Sequence, residues 1–353
     1  QTLWAGWDLQ LVDPADWSGL ENSIALDTND YPHISYYETA NKDLKYAKWT
    51  GSSWYIVTVD SMGDVGEYTS IELDSNNYPH ISYLDSTNGD LKYAKWTGSV
   101  WSIETVDSLN YVGEWCSLAL DDNDYAHISY YDGYNTDLKY AKWTGTSWSI
   151  ETVDSAGDVG RYSSIVLDSN GYPHISYYDN TNGDLKYAKW TGTSWSIETV
   201  DSAGDVGKCS SIALDSNNYP HISYYDSTNG DLKYAKWNGS SWDIEVVDSQ
   251  NDVGDFTSIA LDTNNNPHIS YHDLTNTNLK YAKWDGVTWQ IQTVATGTNV
   301  GMYTSIAIDS KNYAHISYYH AIYLKYAKWN PCLLYTSDAA DEGLGVDLGG
   351  RRI

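Results

Sequence analysis

Short runs in which apolar or aromatic residues alternate with small or polar ones follow one another along the whole chain. Each run stops at a cluster of Asn, Asp, Gly or Pro. Such period-two segments bounded by turn formers read as β-strands, and no window repeats its apolar residues at helical spacing. One stretch shows the unit. Ser211–Asp215 is a short apolar strand, and His221–Asp226 and Leu232–Trp237 are rich in β-branched and aromatic residues. Trp242–Val247 is a fourth strand. Asn229-Gly230, between the second and third, predicts a type I′ hairpin turn.

The unit recurs. His33, His80, His127, His174, His221, His268 and His315 stand at 47-residue intervals, without insertion or deletion between them. Four antiparallel strands repeated at this period match a propeller blade. The expected fold is all-β, a seven-bladed β-propeller over residues 1–331. The chain ends carry its closure. Gln1–Asp13 aligns with a fourth strand that lacks its first three, and Ser305–Trp329 supplies three strands that lack a fourth. The N-terminal strand is expected to complete the last blade, which removes an open sheet edge.

Function is expected where the copies disagree. Between blades the chain reads SMGDVGEY, SLNYVGEW, SAGDVGRY, SAGDVGKC and SQNDVGDF, with the last two positions changing. One series runs Leu20, Glu67, Glu114, Arg161, Lys208, Asp255, Met302; the next runs Glu21, Tyr68, Trp115, Tyr162, Cys209, Phe256, Tyr303. Read as loops at one mouth of the central channel, these residues are the candidate ligand-binding set, since loops on a rigid scaffold are where binding residues concentrate. Glu72 joins them, because Ala or Val stands at its place in the other copies. No catalytic set is expected: Glu72 and Arg161 are the only individual candidates, and glycoside hydrolysis ordinarily needs paired carboxylates.

The repeated residues have a structural reading instead. Rings at fixed positions (Tyr36, Tyr46, Trp49, Trp54 and their equivalents) are expected between blades. The repeated histidines, spaced evenly around a ring, cannot converge on one metal ion and are expected to bond within their own blades. The two lysines of each LKYAK strand are expected to keep their ammonium groups in water. Acidic turns such as Asp85–Asp90 offer oxygen donors, but their spacing departs from a calcium loop and suits hairpin turns. No cofactor is expected, with calcium at these turns the less favoured alternative.

A formal charge of −28 argues against nucleic acid as a partner. No apolar run is long enough to span a membrane as a helix. Cys116 and Cys209 occupy different repeat positions, so no disulfide framework is indicated. Asn238-Gly239-Ser240 is a glycosylation sequon.

The PHISYYD…LKYAKWTG pattern, from Gln1 to about Asn330, resembles β-propeller repeats found in secreted or surface proteins of bacteria and archaea. That resemblance implies an extracellular or cell-surface ring, monomeric within a larger polypeptide, and carries no chemistry of its own. The WD dipeptide of WD-type propellers occurs only at Trp7-Asp8, Trp242-Asp243 and Trp284-Asp285. Sialidase propellers carry arginine clusters and SxDxGxTW turns; here Arg161 stands alone before the tail. Residues 332–353 (CLLYTSDAADEGLGVDLGGRRI) lack the repeat composition and resemble a translated sequencing adapter, so they are expected to be a non-native tail of a metagenomic fragment. The function expected is a binding or adhesion module for a glycan, peptide or surface partner. An architectural repeat domain is the alternative, and a hydrolase or lyase comes third.

Overall fold

The computed structural model describes residues 3–334, with side chains for 6–331. Among these, 28 strands run from β1 (Leu3–Asp13) to β28 (Tyr323–Leu334) and form seven antiparallel four-stranded sheets. In the fifth blade, β18 (Val206–Leu214) lines the ring interior, followed outwards by β19 (Pro220–Asp226), β20 (Asp231–Trp237) and β21 (Trp242–Asp248). Closure is as expected: β1 pairs with β28, with Trp7 opposite Trp329 and Asp13 opposite Leu324. β28 continues past Trp329 to Leu334, since Leu3 and Trp4 supply pairing partners there. The remainder of the expected tail, 335–353, lies outside the described residues.

Two local expectations are corrected. Asn229-Gly230 does not form a two-residue turn. Asp226 pairs with Asp231 across the loop Ser227–Gly230, and of those four residues only Gly230 takes a positive φ, 73°. The Asp226 carboxylate organises the loop, accepting from the Asn229 N–H and Nδ2 at 3.0 and 2.9 Å. An Asx-type cap therefore displaces the I′ geometry.

The lysines are the second correction. The first lysine of each LKYAK strand does not end in water in five of the blades. Lys233 is buried, and its Nζ meets Asp201 Oδ2 at 2.5 Å; the Tyr224 hydroxyl donates to the same oxygen at 2.7 Å. Asp201 ends the outer strand of the fourth blade, whereas Tyr224 and Lys233 belong to the fifth. The same Asp–Tyr–Lys clasp ties Asp60 to Tyr83 and Lys92, and Asp107 to Tyr130 and Lys139. A buried ammonium is tolerated because a buried carboxylate faces it. The second lysine keeps the expected position, with the Lys48 side chain 35% exposed.

Seams are also stitched at the channel. The innermost strand of each blade presents an unpaired edge, and a serine of the preceding blade answers part of it. Ser211 Oγ accepts the Ile259 N–H at 3.2 Å, and Ser305 Oγ accepts the Ile24 N–H at 3.2 Å across the closing seam. Apolar packing follows the same division. One cluster joins Leu185, Tyr187 and Val200 of the fourth blade to Val206, Ile212 and Tyr224 of the fifth.

Each repeated histidine bonds within its blade, as expected. His221 Nδ1 and the Tyr234 hydroxyl lie 2.6 Å apart, and the ring is fully buried. Burial, reinforced by the nearby Lys236, pushes its pKa down to about 4. Five of the others (His33, His80, His127, His174 and His268) fall to the same value. All six are neutral in the folded state well below the pH at which an unfolded chain protonates them.

The seam between the sixth and seventh blades lacks the clasp carboxylate altogether. Ala295 stands where Asp201 and its counterparts stand, and the buried hydroxyl of Tyr318 is left without a partner. Replacing Ala295→Asp should stabilise the ring by about 1–2 kcal/mol, since an unsatisfied buried group costs about that much. Asp201→Ala should destabilise it by about 3–5 kcal/mol by stranding Lys233. Denaturant melts of both variants against the parent check the pair. The histidines give a second expectation. Between pH 6.5 and about 4 the unfolded chain binds protons that the folded ring refuses, so stability falls as pH falls through that window. Because six groups act together, the slope should exceed the ~1.4 kcal/mol per pH unit of a single proton. Urea melts across that range measure it.

Candidate functional site

The two variable positions do not sit on loops. Lys208 and Cys209 belong to the innermost strand β18, just inside its start, where the ladder to β19 is broken by two register shifts. Gly207, before them, takes φ +104°, and a Cβ there would lie 2.7 Å from Leu185 Cα of the preceding blade. Only glycine fits so close an approach. The next bulged residue is driven into left-handed space in every blade: Glu21, Tyr68, Trp115, Tyr162, Cys209, Phe256 and Tyr303 have φ between 47° and 53°. Residues of five different types share one strained backbone geometry, so the scaffold and not the side chain imposes it.

These seven residues form a ring around the channel axis and enclose a cavity of about 230 Å³. Its aromatic members touch in sequence. Ring centroids of Tyr68 and Trp115 lie 5.3 Å apart, those of Trp115 and Tyr162 5.1 Å, and those of Phe256 and Tyr303 4.4 Å. The floor is a set of small polar residues that inspection of the sequence missed: Asn22, Thr69, Cys116, Ser163, Ser210, Thr257 and Thr304. They hold the ring in place. Ser163 Oγ donates to the Trp115 carbonyl at 2.9 Å, and Ser210 Oγ donates to that of Tyr162 at 3.1 Å, each across a seam. The available signal was a third column of uniformly small hydrogen-bonding side chains beside two columns of varied ones.

Glu21 is the acidic member. It accepts the Tyr68 N–H, and burial pushes its carboxyl up to about 7, with Glu67 and Glu114 adding repulsion. The residues of the first variable series are half-buried around the rim. Glu67 accepts from the Ser86 hydroxyl at 2.5 Å, and burial raises the Glu114 carboxyl, with Arg161 opposing. Arg161 pairs with Asp158 at 2.7 Å and lies 5.7 Å from the Trp115 ring centroid. Lys208 pairs with Asp205 at 2.5 Å, and Asp255 accepts from Cys209 Sγ at 3.1 Å. The structure therefore brings together the expected residues of both series.

Glu72 is not among them. It lies on the innermost strand of the second blade, away from the cavity. Solvent reaches its side chain, yet protein surrounds it closely enough for burial to push its carboxyl up to about 7. The acidic turns weighed as calcium donors bond within the protein: Asp85 accepts from Asn88, and Asp158 from Tyr131 and Arg161. Among the described residues no group of three or more His, Cys, Asp or Glu is arranged to hold a metal ion.

The chemistry available at the channel mouth is recognition. Five π-faces converge on one small cavity, with carboxylates in the wall and at the rim. Such a site attracts cations electrostatically and accepts apolar surface by stacking.

No family model matches the chain, and no curated protein resembles it in sequence. Its likeness is to solved folds. An ulvan lyase of polysaccharide lyase family PL25 superposes with a TM-score of 0.62 at 16% identity, covering 90% of this chain and 95% of that one. YCF48 from Cyanidioschyzon merolae gives 0.59 at 13% identity, with 93% and 99% covered. A protein of unknown function from Dyadobacter fermentans gives 0.56 at 11%, with 92% and 99% covered. YCF48 has also been solved bound to a D1 peptide, and that complex superposes at 0.57. At these identities the likeness establishes the propeller fold.

Proposed function

We propose that the protein is a secreted or surface-displayed binding module whose recognition site is the channel mouth, and that the group it seats is the ammonium of a peptide side chain. One observation carries the reading. Seven side chains occupy a single strained backbone position, have diverged in identity, and converge on one cavity. A framework kept for packing alone has no need to vary there. The aromatic faces and Glu21 supply the attraction for a cation. Glu67 and Glu114 extend it to the rim, and the field of the whole chain favours positive partners. Arg161 acts in the opposite sense, occupying one edge of the Trp115 ring with a cation of the protein's own. The competing reading, an architectural ring without a ligand, requires that changes at these positions affect nothing but stability.

The test uses Nα-acetyl-lysine methylamide, its trimethylammonium form and the neutral norleucine analogue in calorimetric titrations. The two cations should bind and the neutral isostere should not. Tyr68→Ala, Trp115→Ala and Tyr162→Ala should each weaken binding by about 1 kcal/mol, or about fivefold, and Arg161→Ala should strengthen it. The free Glu21 carboxyl titrates at about 7 and only its ionised form attracts the ligand, so affinity should drop as pH falls through neutrality. The drop should approach about tenfold between pH 8 and 6 and vanish in Glu21→Gln. Cation binding indifferent to all four alanine changes would refute the site.

A further inference from the structure

The turns joining first to second and third to fourth strands lie on the face opposite the channel mouth, and there the seams open into clefts. Between the first and second blades a cleft of about 510 Å³ is bounded by Asp27, His33 and Lys48 on one side and by Asn77, Trp96 and Trp101 on the other. Four blades later the equivalent positions, Asp215, His221, Lys236, Asn265, Trp284 and Trp289, bound a cleft of about 620 Å³. The closing seam holds one of about 380 Å³. These volumes fall in the usual range for small-molecule sites, about 300–1,000 Å³, and exceed that of the channel cavity.

Three features define the chemistry. The two larger clefts each have a half-buried pair of edge-to-face tryptophans, with centroids 5.6 Å apart for Trp96–Trp101 and for Trp284–Trp289. Between the first two blades the charges are matched, Lys48 Nζ lying 3.8 Å from Asp27 Oδ2, whereas the cleft of the fifth and sixth blades sets Asp215, Asp243 and Glu245 around Lys236. The walls of these two also contain an unanswered polar atom, whereas in the closing seam His315 Nε2 reaches Asp309 Oδ2 at 3.2 Å. His33 and His221 are fully buried, yet Nε2 of each has no hydrogen-bond partner, since the facing Asp oxygens stand 3.6 and 3.8 Å away. Leaving such atoms unpaired is costly unless another group reaches them. A ligand suited to this lining is neutral, has one apolar face, and carries hydroxyl groups around its edge. Acidic ligands are disfavoured by the charge of −28.

We infer that the interblade clefts are repeated binding sites for neutral saccharide units, so that one chain holds several at once. This stands apart from the peptide site, which is single, axial and on the other face. A polymer engaging two or three clefts would gain avidity from weak individual contacts.

Maltohexaose and cellohexaose are the probes, with trigalacturonate as the acidic control, in titration calorimetry on the whole chain. At least one hexaose should bind at millimolar concentration with more than one site per chain, and the control should not bind. The double variant Lys236→Ala/Asp243→Ser should lower the stoichiometry by one without changing the melting temperature; serine already occupies the equivalents of position 243 at 102, 149 and 196. Tyr68→Ala, in the channel, should leave saccharide binding unchanged. Failure of both hexaoses to bind, a single site per chain, or loss of binding in Tyr68→Ala would each overturn the inference, and none bears on the peptide site.

Discussion

No blade of this protein is chemically complete by itself, and that constraint organises the structure. The carboxylate that neutralises Lys233 belongs to the blade before it, as does the hydroxyl that answers the Ile259 N–H. The apolar clusters likewise contain residues from both sides of a seam. A detached blade would expose a lysine designed for burial, a tyrosine hydroxyl without its acceptor and a strand edge without its serine. Each deficit costs on the order of 1–3 kcal/mol, and together they outweigh what one four-stranded sheet can gain. Only a closed array supplies every blade with a neighbour on each side. β1 therefore has a thermodynamic role beyond filling a gap: Asp13 at its end accepts the Tyr36 hydroxyl at 2.6 Å and so supplies the first blade with the carboxylate–tyrosine part of the clasp.

Concentrating stability in the seams frees the axis. The bulge residue in each innermost strand takes the same left-handed φ whether it is Glu, Tyr, Trp, Cys or Phe. Its conformation is held from behind by the glycine packed on the preceding blade, and for Tyr68, Trp115, Tyr162 and Tyr303 also by a small polar residue that bonds its carbonyl. Left-handed backbone costs about 1–2 kcal/mol for a residue other than glycine, and seven such residues are affordable only on a framework stabilised elsewhere. Side-chain identity is thereby separated from backbone geometry, and the position can vary without threatening the fold. The seam between the sixth and seventh blades shows the limit of that freedom. There Ala295 removes the clasp and His320 takes the place of an acid, leaving the Tyr318 hydroxyl and His320 Nδ1 buried and unpaired.

The period, the strands and the closure were legible because each depends on a pattern local in the sequence. Alternation marks strands, turn residues mark their ends, and a missing fourth strand is visible as an alignment gap. Errors arose where a residue's partner lies one repeat away. Lys233 resembles any amphipathic surface lysine until Asp201 is brought across the seam. Cys209 looks like part of a loop, since a glycine and a left-handed residue within five positions suggest a turn; what keeps them in a strand is the ladder to β19 on one side and the next blade on the other. The Asn229-Gly230 turn failed for a related reason, as Asp226 competed for its amides more strongly than dihedral preference could resist. The two variable columns were visible from comparing copies, but the column beneath them was not, because small residues such as Ser163 and Ser210 carry no sign of the carbonyls they hold.

Symmetry separates the two faces by the sites they can support. A point on the ring axis is seen once by every blade, so seven identical side chains there could offer only a radially uniform surface. An asymmetric ligand needs the copies to differ, and at the bulge they do: an acid between two tyrosines on one side, a cysteine beside a phenylalanine on the other. A point on a seam belongs to two adjacent blades alone. Identical copies there give the same environment again at each turn of the ring, and conservation between copies favours repetition of whatever one cleft can hold. Divergence at the axis and near-identity at the seams are thus the same duplicated scaffold meeting two different geometric demands.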